Sequence, residues 1–295
     1  MQTRRTAKEY LTLIVKGMCM GAADIVPGVS GGTMAFILGI YEELIQSIRT
    51  FGRAQFIQNV LRFRIRNVLD ASNWQFLVSV AAGILIAIIT LSKGLEHALT
   101  NYPLLIWSFF FGLVLASAYV MSKRIHTWNA SSIILLILGT VFAYLLVGLV
   151  PTETPETWWF LILSGAIAIC AMILPGISGS FILVLLGKYQ FILSAVNNRD
   201  LVTIGLVGIG AIIGLIAFSQ VLGWLFQKYH NPTIIFLIGL MLGSLRKIWP
   251  WKVDGMMSGN ILPELNQTLM IGLGMMLIGF AVVLVLERYA SRKSG

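Results

Sequence analysis

Two segments of this chain combine proline, glycine and hydroxyl side chains in a spacing suited to holding an anion. They read Asp24-Ile-Val-Pro-Gly-Val-Ser-Gly-Gly-Thr33 and Met172-Ile-Leu-Pro-Gly-Ile-Ser-Gly-Ser-Phe181. Pro27 and Pro175 each remove a backbone NH donor and clash with the preceding turn, and the glycines that follow reach conformations other residues resist, so a helix must break in each segment. A half-helix restarting near Gly31 or Gly179 presents free NH groups and the positive end of its dipole, an arrangement that holds phosphate. Ser30, Thr33, Ser178 and Ser180 add hydroxyls, and Gly28, Gly31, Gly32, Gly176 and Gly179 let an anion approach the main chain. The competing reading is that these small residues only permit tight helix packing.

Few charged residues lie in the apolar parts of the chain, and intramembrane charges are functional candidates by default. Asp24 has no acidic counterpart, since Met172 occupies its place. It is either a proton carrier for coupled transport or a hydrogen-bond partner for the opposite segment's NH groups. Lys16, two turns earlier on the same helical face, either pairs with Asp24 or the substrate, or snorkels to the inner surface. Lys188 is a substrate cation or an interfacial anchor. Glu42 and Glu43 fall at the cytoplasmic rim, where only one need be more than a solvated charge; Glu42 is the candidate for proton coupling or as a charge partner.

The elements that position these residues follow from an internal duplication. Pro27 and Pro175 stand 148 residues apart, and the same offset pairs Gly28 with Gly176, Ser30 with Ser178, Leu38 with Leu186 and Tyr41 with Tyr189. A second match pairs Ser92 with Ser219, Tyr102 with Tyr229 and Gly112 with Gly239, 127 residues apart. The division is therefore residues 1–150 and 151–295, with a 21-residue insertion in the first half, 148 less 127, near the arginine-rich stretch 49–69. That stretch is either an amphipathic helix held on the inner leaflet by anionic lipid or a solvated basic loop. Repeats that each carry a broken apolar helix are a signature of transporter folds.

With 57% hydrophobic and 11% charged residues, and a mean hydropathy of +0.86, the chain belongs to the integral membrane class. Six apolar stretches of about 20 residues suit full spans: residues 74–95, 103–121, 131–150, 201–226, 233–245 with flanks, and 268–286. If each Pro-Gly-x-Ser-Gly element makes a re-entrant hairpin, each half holds one hairpin and three transmembrane helices, and the odd number of crossings inverts the second half. Fourteen lysines and arginines then share the side of Arg4, Arg5 and Lys8, against five (Lys93, Arg199, Arg246, Lys247 and Lys252) on the other. This is the positive-inside bias, with both termini cytoplasmic. The net charge of +9 is thus a matter of topology and asks for no nucleic acid. Cys19 and Cys170 do not correspond under the repeat and read as buried free thiols.

The motif Asp-Ile-Val-Pro-Gly-Val-Ser-Gly-Gly-Thr with Leu-Gly-Ile-Tyr-Glu, followed by Leu-Pro-Gly-Ile-Ser-Gly-Ser and Leu-Gly-Lys-Tyr, resembles the bacterial family called domain of unknown function 368, polyprenyl-phosphate transporters of the cytoplasmic membrane. The resemblance implies return of undecaprenyl phosphate, the carrier lipid of envelope polymers, from the outer to the cytoplasmic leaflet. It implies a headgroup site at Asp24, Pro27, Gly28, Ser30, Gly31, Gly32, Pro175, Gly176, Ser178 and Gly179, without cofactor or metal. A carrier of small inorganic anions would use the same elements. A lipid phosphatase would need an activated nucleophile or a metal. His97, His126 and His230, read as lying in three separate connections, do not supply one.

Overall fold

The computed structural model describes residues 5–26, 28–125, 127–253 and 259–291 and is all-helical. In chain order the helices are α1 (Ala7–Ile25), α2 (Gly31–Ile37), α3 (Tyr41–Phe51), α4 (Ala54–Leu61), α5 (Ile65–Ala71), α6 (Trp74–Asn101), α7 (Pro103–Lys123) and α8 (Ala130–Leu146). They continue with α9 (Trp158–Ile173), α10 (Gly179–Leu185), α11 (Tyr189–Asn197), α12 (Leu201–Lys228), α13 (His230–Ser244) and α14 (Gln267–Ser291). α2 and α10 stand 148 residues apart at both ends, and α6 and α12 stand 127 apart. Between α3 and α6 lie α4 and α5, where α11 and α12 are joined by a short turn.

Local chemistry sets the helix ends. Thr6 opens α1 with a capping box, its hydroxyl accepting from the Glu9 NH while the Glu9 carboxylate accepts from the Thr6 NH. Asp200 accepts from the NH groups of Val202 and Thr203 at the start of α12, and Pro103 occupies the first turn of α7. Within each broken segment a second bend follows at a glycine in the left-handed region, Gly39 (φ +68°) and Gly187 (φ +63°). At the latter, α10 and α11 meet at 108°.

α6, α7, α12 and α14 are long and apolar enough to cross a membrane. The other two stretches expected to span form shorter helices, α8 of 17 residues and α13 of 15. Arg246 links the two endings. Its guanidinium donates to the Tyr144 carbonyl at 3.0 Å and stacks on the Tyr144 ring, so the turn after α13 caps the last turn of α8 with a cation. The outward faces of the helices carry exposed large apolar residues, among them Ile89, Ile137, Ile213 and Leu277, while α7 and α13 lie innermost.

Four close helix pairs build the bundle: α1 with α6, α9 with α12, α7 with α14, and α8 with α13. The first two lie within a half and the last two join the halves. Glycines on both members bring the backbones together. A Cβ on Gly17 would sit 2.2 Å from the Val80 carbonyl oxygen, one on Gly210 1.9 Å from that of Ile162, one on Gly112 1.9 Å from that of Met276, and one on Gly243 2.2 Å from that of Thr140. Without a hydrophobic effect between helices in lipid, this close packing is what holds them.

In the first half the chain returns to where it started. Arg5, before α1, donates to both carboxylate oxygens of Glu43 on α3 at 2.7 Å, and Glu43 also accepts from Asn73, before α6. In the second half the Thr152 NH donates to the Leu185 carbonyl, which brings the end of α10 back beside the segment that precedes α9. The halves also differ in how the helix after the second bend packs. α3 packs on α12, where the Gln220 amide donates to the Arg49 carbonyl at 2.7 Å and accepts from the Arg49 Nε at 3.3 Å; α11 makes no comparable contact with α6.

The glycine packing is testable within one helix. Gly210→Ala should lower unfolding stability by roughly 1–3 kcal/mol through overpacking. Gly205→Ala, where a Cβ meets nothing within 4 Å, should not. Equal melting temperatures for the two purified variants would contradict the α9–α12 contact.

Candidate functional site

The two helix breaks meet. The Ser30 hydroxyl donates to the carbonyls of Met172 and Leu174, at 3.0 and 3.3 Å, and the Gly176 NH donates to the Thr33 hydroxyl at 2.8 Å. Ser30 and Thr33 are fully buried. Their bonds therefore satisfy backbone groups left over by one break with side chains of the other, which an apolar interior requires.

Glycine is needed here for two reasons. Gly28 and Gly176 occupy corresponding positions with φ of +84° and +92°, a region that L side chains rarely adopt. A Cβ on Gly32 would sit 2.5 Å from the Ile173 carbonyl oxygen, and one on Gly176 2.7 Å from the Ser244 hydroxyl, so the second break is wedged between the first and α13. Pro27 lies outside the described residues. Pro175 and Gly179 are buried, and Ser180 is exposed.

The half-helix starts are not equivalent. At α2 the Asp24 carboxylate accepts from the Gly31 NH at 2.6 Å, and the Ser30 hydroxyl accepts from the Gly32 NH at 3.1 Å. The first turn of α2 is thus occupied by the chain's own anion. At α10 no side chain among the described residues caps the first turn; the Ser178 hydroxyl instead meets that of Ser180 at 2.7 Å. The difference follows from Asp24 standing where the second half has Met172.

The other charges read from sequence are distributed around this centre. The Lys16 ammonium donates to the Leu38 carbonyl at 2.7 Å, at the end of α2, while Asp24 engages Gly31. Lys188 is 1% exposed; its ammonium donates to the Thr154 carbonyl at 2.6 Å and lies near the rings of Phe160 and Phe191, tying the chain before α9 to the α10–α11 bend. Glu42 meets His230 at 3.0 Å on the rim, and Glu43 holds Arg5. His230 begins α13 and His97 lies inside α6, so neither is in a connection; His126 is outside the described residues.

One group escaped the sequence reading. Arg246, Lys247 and Lys252, read only as outward loop charges, line a cavity of about 560 Å³ under the α13–α14 connection. A second cavity, of about 770 Å³, is apolar and opens between α3, α4, α6 and α12, lined by Ile48, Phe56, Val60, Leu77, Ile84 and Leu215 among others.

Residues 20–261 match the VCA0040-like family, described as undecaprenyl phosphate translocase-like. This chain belongs to that family. It is 42% identical to a polyprenyl-phosphate transporter of Vibrio cholerae, over 96% of this chain and 98% of that protein. It is 28% identical to a polyprenyl-phosphate transporter of Staphylococcus aureus, over 93% and 95%. No solved structure matches the chain.

Removing the acceptor on Thr33 tests the contact between the breaks. Thr33→Val leaves the buried Gly176 NH unsatisfied, which costs about 1–3 kcal/mol, whereas Thr33→Ser keeps the acceptor. Equal unfolding midpoints for the two variants in detergent would contradict the docked arrangement.

Proposed function

We propose that this chain translocates polyprenyl phosphate, returning the lipid from the outer to the cytoplasmic leaflet, with the phosphate held where the two helix breaks meet. The observation that carries this reading is the docking of Ser30 and Thr33 onto residues 172–176. It brings two glycine- and hydroxyl-rich breaks into one place, and the family relationship names the class of substrate. The apolar cavity beside α4 favours an amphiphile over a small inorganic anion, because a free anion has no use for a 770 Å³ apolar groove.

In this reading each broken segment is a re-entrant hairpin, and the halves are inverted repeats. The return of the chain to Arg5 and Asn73 in one half, and to Thr152 in the other, supports hairpins. The difference between α3 packed on α12 and α11 without a comparable contact to α6 supports alternating access, with the side of Arg5 closed and the opposite side open. The exposed arginines of the insertion, Arg53, Arg62, Arg64 and Arg66, then face anionic lipid of the inner leaflet.

Asp24 provides the coupling. Its carboxylate stands at the Gly31 NH, where a phosphate oxygen would otherwise bind, so the two anions compete. A protonated carboxyl is a weaker acceptor than a carboxylate, and protonation therefore releases the start of α2 to the substrate. A proton that travels with the phosphate also offsets the cost of moving negative charge toward a negative interior, about 2.3 kcal/mol per charge per 100 mV.

The test is translocation of a short-chain polyprenyl phosphate in liposomes, with inorganic phosphate flux as the control. Ser30→Ala/Ser178→Ala should lose lipid movement, and inorganic flux should be absent from the unaltered protein. Inorganic flux alone would replace the lipid reading with an anion carrier. Asp24→Asn should lose its response to an imposed proton gradient; a variant with full transport and full gradient dependence rules out the coupling role.

A further inference from the structure

We propose that the cavity under the α13–α14 connection is a capture site for the phosphomonoester head of the lipid, with Lys247 and Lys252 as its cationic ligands. This rests on the lipid-phosphate reading above and adds a site outside the helix breaks. Four observations carry it.

The first is unbalanced charge. Three cations, Arg246, Lys247 and Lys252, line the cavity, and no acidic residue among the described residues does. Neither lysine is in an ion pair with a carboxylate among the described residues, and Asp254 falls outside them. The second is the state of the ammonium groups, each of which carries three donors. The Lys252 ammonium donates to the Lys247 carbonyl at 2.6 Å and lies 4.7 Å from the Trp107 ring. That of Lys247 has no hydrogen-bond acceptor among the described residues and lies 4.4 Å from the Phe181 ring. Burial lowers the basicity of Lys247, and burial together with the charge of Lys247 pushes Lys252 down to about 8. Two cations held together in a half-buried pocket are relieved by an anion between them.

The third observation is continuity with the helix breaks. The Lys247 stem passes Gly28, whose Cβ would sit 3.0 Å from the Lys247 Cγ, and its ammonium reaches Phe181 in the first turn of α10. A phosphate leaving the cavity therefore has Lys247 as its link to both breaks. The fourth is shape. Tyr144, Leu149 and Val150, all exposed, border the cavity at the end of α8, so a polar floor has an apolar mouth, as a phosphate with an attached isoprenoid chain needs. The cavity lies at the end of α13 opposite His230 and Glu42, roughly 22 Å along a 15-residue helix. It is therefore on the face opposite Arg5 and Glu43, where lipid from the outer leaflet would arrive. Arg246 is the positioning residue: it caps α8, and the Asn260 amide donates to its carbonyl.

Intrinsic tryptophan fluorescence reads the site, since Trp107 touches Lys252 and Trp251 stacks on Trp249 beside it. The purified protein would be titrated with a short-chain polyprenyl phosphate, with the matching alcohol and with inorganic phosphate, and lipid translocation followed in parallel. Saturable binding of the phosphate but not the alcohol is expected. Lys247→Gln/Lys252→Gln should weaken it at least tenfold and slow translocation, and Lys247→Arg/Lys252→Arg should keep it. The two single glutamine variants serve if the double variant does not fold. Binding and translocation within twofold of the unaltered protein in the glutamine variants would overturn the site while leaving the function intact. Binding of inorganic phosphate that depends on the lysines, without lipid movement, would keep the site and overturn the lipid function. Absence of binding by either phosphate to the unaltered protein would overturn the site.

Discussion

A main chain broken inside an apolar bundle must have its freed NH and carbonyl groups satisfied by protein, because lipid supplies no partner. This chain meets that constraint by docking one break onto the other. Ser30 serves two carbonyls of the second half and Thr33 accepts from Gly176, so each break is incomplete without its counterpart. Much of the architecture follows. The halves must interleave to bring the breaks together, which they do through α7 on α14 and α8 on α13, and glycine-rich helix faces make the interleaving close enough.

Within this paired arrangement a single substitution makes the halves unequal. Asp24 supplies a carboxylate to the start of α2, whereas Met172 supplies nothing to α10. Charge is therefore already bound on one side of the contact and absent on the other. The helices around the breaks carry a second inequality, since α3 leans on α12 through Arg49 and Gln220 while α11 makes no comparable contact with α6. The lysine-lined cavity lies at the end of α13 away from His230. Each inequality suits the proposed carrier, in which one site would be shared and its surroundings would not.

Much of this could be read from the residues. The broken segments, their glycines and their hydroxyls are local features, set by what proline and glycine do to a helix, and they fall where the spacing puts them. Four of the long apolar stretches are full-length helices. What could not be read was set by tertiary contact. That Asp24 caps the next half-helix depends on the angle between α1 and α2. That Lys188 is buried depends on the Thr154 carbonyl folding over it, and the last turn of α8 is met by Arg246, about a hundred residues away. Lys247 and Lys252 looked like loop charges because nothing in a linear string shows that Lys247 and Ile248 pack against Gly28 in the first helix break. Trp249 and Trp251 between them were the available signal, since aromatic rings in a short connection imply that it packs against something.

The central claim is that a lipid phosphate sits against the helix breaks. The most direct measurement is solid-state NMR dephasing between the phosphorus of a bound short-chain polyprenyl phosphate and nitrogen-15 introduced in glycine backbones or in lysine side chains, in bilayers. Dephasing from a small subset of glycines, lost on replacing Gly179, together with dephasing from lysine ammonium nitrogens, is the result this account predicts. A bound lipid whose phosphorus dephases no glycine nitrogen, whether or not it dephases lysine, would contradict it.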